Sequence, residues 1–163
     1  MKVTVTHKDL SKALNPRAIQ VGATASDWRD AVRQAGDLLV EAGLVKPSYV
    51  GAMISTMEAS GPYFVIAPGL AVPHARPEAG VFSAGLGVLL LSQPVCFGSA
   101  ANDPVDILIP FASGSSDAHV EILSFLATFL SEPGILAKMR QAKSPSDVRD
   151  LFVQRLEARQ RES

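Results

Sequence analysis

Among 163 residues the chain carries a single cysteine, Cys96. One thiol excludes an internal disulfide framework and fits a reducing compartment, so a cytoplasmic location is expected. Charge of one sign is not in excess: 15 Lys and Arg stand against 16 Asp and Glu, for a formal net charge of −1. The basic residues are scattered, which argues against a nucleic-acid partner. Long hydrophobic runs are missing too. The longest, around 88–91, is far too short to cross a bilayer. Residues 1–10 are polar and lack the apolar segment of a secretory signal, so no membrane insertion is expected. There is no internal repeat and no low-complexity stretch.

Several catalytic signatures are absent. No Gly-x-x-x-x-Gly-Lys phosphate loop occurs. No HExxH or CxxC spacing supports a zinc site; one built from His74, His119 and Asp103 or Asp106 would lack any such motif. The turn Gly114-Ser115-Ser116-Asp117 has no second glycine and so is not a serine-hydrolase elbow. Neither a metal nor an organic cofactor is expected.

What the chain does have is apolar content, 47% of residues, in a length suited to one domain with a real core. Residues 1–15 read as a leader or extension, 16–156 as the domain and 157–163 as a charged, fraying tail. A first short strand is expected at 18–21. Ser26-Asp27 is an N-cap signal, and Trp28, Val32, Ala35 and Leu39 follow at helical spacing, with Gly43 as a stop. Pro47 suits the first turn of a second helix, in which Val50, Met53, Ile54 and Met57 form an apolar face; Gly61-Pro62 ends it. Both methionines read as core, and Cys96 as an inert thiol.

The middle of the chain changes character. Apolar runs at 63–66, 70–72, 84–91 and 105–111 are separated by Gly, Pro, Asn and Asp and read as strands, the last two buried on both faces. From Ala118 a helical pattern returns through Ile122, Leu123, Phe125, Leu126, Phe129 and Leu130, apolar enough to predict a well-buried helix. Glu132-Pro133-Gly134 breaks it, a short helix with Ile135 and Met139 follows, and Ser144-Pro145-Ser146-Asp147 starts a last one. Strand, two helices, about three strands and three helices imply a three-layer α/β/α sandwich with a mixed sheet of about four to five strands.

The chemistry concentrates on histidines, of which there are three. His7 has nothing reactive around it. His74 follows an apolar strand and Pro73, which stiffens the backbone reaching it. His119 opens a helix that also follows a strand, behind Ser115 and Ser116. In α/β folds, sites gather where strand ends meet helix N-termini, and free N–H groups there favour an anion. A nucleophilic imidazole at His74, a second imidazole at His119 and N–H groups near Ser115 and Ser116 would suit a phosphoryl group. The plainer alternative for His119 is a helix cap.

These residues resemble the enzyme IIA component of the sugar phosphotransferase system (PTS), mannitol/fructose-type class (EIIA type-2), and within it the ascorbate-type branch. The resemblance spans about residues 16–155. It rests on Ala35-Gly36-Asp37-Leu38-Leu39, Pro47-Ser48-Tyr49-Val50, the run Gly61-Pro62-Tyr63-Phe64 through Gly69-Leu70-Ala71-Val72-Pro73-His74-Ala75-Arg76-Pro77-Glu78, and Asp117-Ala118-His119. It implies a phosphotransferase in which His74 takes a phosphoryl group from phospho-HPr as a tele-phosphohistidine. The group would pass to a cysteine of a cognate IIB component, which phosphorylates a sugar or sugar acid as the membrane IIC component admits it. His119 would stabilise charge during transfer. Mannitol-type relatives have an arginine sixteen residues before the active histidine, where this chain has Glu58. The ascorbate-type branch is expected to lack that arginine as well; Arg76, two residues beyond His74, is the candidate substitute, and the alternative is that it points to solvent. No IIB, IIC or regulatory domain is visible in the sequence, which implies a separate soluble carrier. The alternative is a regulatory module whose phosphorylation state controls a transcription factor or a transporter.

Overall fold

The computed structural model describes residues 14–162, with side chains as far as Arg155. His7 and residues 1–13 of the expected leader lie outside the described residues. The first strand, β1 (Leu14–Ala23), is longer than the 18–21 expected and begins inside the stretch read as a leader.

Two helices follow. α1 (Trp28–Glu41) starts where Asp27 accepts a hydrogen bond from the Asp30 N–H, and Gly43, at φ 75°, lets the chain turn away after it. α2 (Pro47–Ser60) has Pro47 in its first turn, where a missing N–H costs nothing, and stops at Gly61. The two pack together along Gly36. A Cβ there would stand 2.7 Å from the Met53 terminal methyl, so the glycine allows the close approach.

Next come β2 (Val65–Ala67) and β3 (Leu70–Ala71), joined through Pro68 and Gly69. Gly69 at φ 77° takes the left-handed position of that turn. A 3₁₀ turn at Pro77–Ala79 leads to β4 (Gly85–Val95). The expected strand at 105–111 is two pieces, β5 (Val105–Leu108) and β6 (Phe111–Ala112). Pro110 lies between them, and its carbonyl accepts from the Gly87 N–H at 2.9 Å, so the pair still tracks β4.

The sheet therefore has six strands, in the order β1-β4-β5-β3-β2 with β6 also on β4. β1 and β4 are parallel, as are β3 and β5; the β4–β5, β4–β6 and β2–β3 pairs are antiparallel. Every residue from Gly85 to Leu91 is buried, so both faces of β4 are covered. α1 lies on β1 and β4 and carries α2 with it. The other layer is α3 (Ser116–Leu130), α4 (Ile135–Arg140) and α5 (Pro145–Glu162). Phe129 of α3 and Phe152 of α5 stack at 4.0 Å between ring centres, with Phe125 beside both. The backbone of α5 stays helical to Glu162, through most of the stretch expected to fray. The architecture is the expected three-layer sandwich on a mixed sheet.

α3 is less enclosed than its composition implies. Ile122, Phe125, Leu126 and Phe129 are buried, but Val120 is 60% and Leu123 37% exposed. The helix has an apolar flank that its own domain does not cover.

Candidate active site

β3 and the β5–β6 strand run parallel, so their carboxyl ends reach one edge of the sheet. The ladder continues past the named strands: the Ile109 N–H donates to the Ala71 carbonyl at 2.8 Å, and the Phe111 N–H to Pro73 at 3.1 Å. His74 is the next residue on one strand. On the other, α3 begins four residues beyond Ala112 and carries His119 in its first turn and a half. Topology thus brings together two histidines 45 positions apart; their ring centres are 5.2 Å apart, nearly edge to face.

The His74 ring stacks on buried Phe111 at 4.5 Å and 23°. The Tyr63 ring lies 5.7 Å from it, edge to face. His74 Nδ1 is 2.8 Å from the Val72 carbonyl oxygen. A carbonyl oxygen can only accept, so Nδ1 bears the proton and Nε2 keeps its lone pair. Burial pushes the imidazole pKa below its ordinary value; the Val72 bond opposes that shift and the neighbouring His119 adds to it. The result is a neutral ring held by one nitrogen and nucleophilic at the other.

Tyr49, on the buried face of α2, fastens this arrangement. Its hydroxyl accepts from the Ala75 N–H at 2.9 Å and donates to the Phe111 carbonyl at 2.8 Å. It ties the residue after His74 to the residue beneath the ring. Burial raises its pKa to about 12, so it stays a neutral donor. The sequence reading missed Tyr49 as a site residue. The available signal was a tyrosine among the methionines of an apolar helix face, because a buried hydroxyl needs partners.

His74, Arg76, Ser113, Ser115, Ser116 and His119 line one cavity of about 990 Å³, closed on its far side by Ala52, Thr56 and Ser60 of α2. The serines divide their tasks. Ser115 is the N-cap of α3, its Oγ accepting from the Ala118 N–H at 3.1 Å, and its carbonyl takes the His119 N–H. The Ser116 and Asp117 N–H groups at the helix start have no partner among the described residues. With the helix dipole they favour an anion. Arg76 is exposed and is the one arginine or lysine among the lining residues.

Residue 58 does not bear on the site as the sequence comparison implied. Glu58 points to α1, where it pairs with Arg29 at 3.0 Å, while Thr56 and Ser60 carry the cavity-facing side of α2. The candidate zinc set does not assemble. Asp106 is paired with Arg140 at 2.8 Å, and Asp103 accepts from the Phe97 and Gly98 N–H groups. Among the described residues no three His, Cys, Asp or Glu side chains converge as a metal site, and no helix is long and apolar enough to cross a membrane.

A paired-histidine edge on a mixed-sheet sandwich defines a class. The chain belongs to the family described as "Phosphoenolpyruvate-dependent sugar phosphotransferase system, EIIA 2", whose profile matches residues 12–155. It is 39% identical over 137 residues to an ascorbate-specific PTS system EIIA component of Shigella boydii serotype 4, covering 83% of this chain and 89% of that one. The fold superimposes on the mannitol-specific cryptic phosphotransferase enzyme IIA CmtB of Escherichia coli with a TM-score of 0.80, at 31% identity over 89% of this chain and 98% of that one. It also matches a complex of enzyme IIAMTL with phosphorylated enzyme IIBMTL from Escherichia coli, with a TM-score of 0.75, 25% identity and coverage of 86% and 96%.

Proposed function

We propose that this protein carries a phosphoryl group between two other proteins, with His74 Nε2 as the carrier atom. The observation that supports this most is the 2.8 Å bond from His74 Nδ1 to the Val72 carbonyl, which leaves Nε2 unprotonated on a ring that lines the same cavity as Ser116 at the start of α3. The Nε2 lone pair attacks the phosphorus of phospho-HPr. The P–N bond forms, and the bond to the donor breaks with its electron pair leaving on the donor. The phosphoryl oxygens are held by the Ser116 and Asp117 N–H groups and by His119, and Arg76 adds positive charge at the rim. The second transfer reverses this geometry toward a cysteine thiolate of a IIB component, a partner supported by the IIA–IIB complex of the mannitol relative.

Protein-to-protein transfer needs a docking face; Val120 and Leu123 on α3, which carries His119, and Tyr63, whose ring lies 5.7 Å from that of His74, supply exposed apolar surface. The system served is one for ascorbate or a related sugar acid, supported by the 39% identity to ascorbate-specific components. The place of work is the cytoplasm.

Mixing with phosphorylated HPr should place one acid-labile, alkali-stable phosphate on the chain, read by intact mass. His74→Gln should abolish it. Phosphate that survives His74→Gln would contradict the assignment.

A further inference from the structure

Ser113 stands immediately after β6, and the residue is 3% exposed. Its hydroxyl makes no hydrogen bond among the described residues, and Ser113 lines the cavity, so the oxygen is not sealed in the core. Alternation along a strand puts Phe111 and Ser113 on one side of the chain. Phe111 is the ring on which His74 stacks, and Ser113 lines the same cavity as His74. The nearby Ser115 differs: it is exposed and its oxygen already caps α3.

We infer that the Ser113 hydroxyl is a direct ligand of the phosphoryl group, donating to one of its terminal oxygens once the group is on His74 Nε2. This rests on the function proposed above and adds a residue to it. The chemistry calls for such a donor. A phosphoryl group presents three terminal oxygens that only accept, and α2 contributes no cation to the cavity. Two N–H groups of α3 serve from one side. The Ser113 hydroxyl serves from the strand end, at the inner wall of the cavity. Because this hydroxyl has no protein partner in the resting state and gains the phosphoryl oxygen in the phosphorylated one, it favours the phosphorylated state selectively.

The test is the equilibrium partition of phosphoryl groups between phospho-HPr and this protein, read by intact mass on wild type, Ser113→Ala and Ser113→Thr. Ser113→Ala removes one oxygen and leaves the wall in place. It should lower the partition constant about ten-fold, the worth of a hydrogen bond to a charged group. Ser113→Thr keeps the hydroxyl and should restore most of the loss. The ³¹P resonance of the phosphorylated alanine variant should also move from its wild-type position, a change that a purely structural role would not produce. A phosphorylated Ser113→Ala with partition and resonance unchanged overturns this inference alone. Absence of any phosphate on the wild-type chain overturns it together with the function on which it rests.

Discussion

Four neighbours each fix one property of His74. Pro73 stiffens the approach, Val72 fixes the tautomer, Phe111 fixes the ring plane and Tyr49 fastens the following residue. Burial holds the ring's pKa below the ordinary histidine value of 6.5. The sign follows from that direction. Between 6.5 and the lower folded value, an unfolded chain takes up a proton at residue 74 and the folded chain does not. Stability from this group is therefore full above 6.5 and is lost as pH falls from there through the folded value. An NMR titration of the His74 ring protons should give a midpoint below 6.5; a midpoint at or above it would contradict the neutral-nucleophile reading. At this scale the sequence pointed to the two histidines that the structure brings together, and to little of what holds them. His74 and His119 stand out by their strand-end and helix-start positions. Tyr49 and Phe111 do not, because the bond between them spans 62 positions and depends on which strand lies beside which.

Among the elements, helix limits were the most legible, since Asp27, Gly43, Pro47 and Gly61 each act locally on the backbone. Strand limits were less so. β1 starts earlier than its hydrophobic pattern indicates because its pairing with β4 begins at Leu14 opposite Leu86. The run at 105–111 divides at Pro110, yet the bond from Gly87 keeps both halves on β4. Gly87 has a second use. A Cβ there would stand 2.6 Å from the Ala18 carbonyl oxygen, a backbone atom that cannot swing aside. Gly87→Ala should therefore push β1 off β4 and lower unfolding stability by about 1–3 kcal/mol in urea titrations. A stability equal to wild type would show that the two strands are not held this closely. The exposed flank of α3 is the clearest place where composition misled. Val120 and Leu123 satisfy the helical pattern of a core face, yet both are exposed, and Val120 lines the cavity beside His119.

For the whole molecule, the mixed sheet is what creates the site. Parallel β3 and β5–β6 deliver a stiffened histidine and a helix N-terminus to one edge, and the two helical layers bury Gly85 to Leu91 of β4 on both faces behind them. The opposite edge, with Asp106 and Arg140 paired across β5 and α4, has among the described residues a smaller cavity with no histidine in its lining. A carrier of this design needs one reactive atom, reachable from outside and backed by a rigid scaffold. The account places that atom at Nε2 of residue 74. The most direct measurement is an NMR spectrum of the ¹⁵N-histidine-labelled protein after phosphorylation, with ³¹P–¹⁵N coupling read at the two ring nitrogens. Coupling at Nε2 of His74, with Nδ1 still protonated, is the result expected. Coupling at Nδ1, or on the ring of His119, would contradict the account.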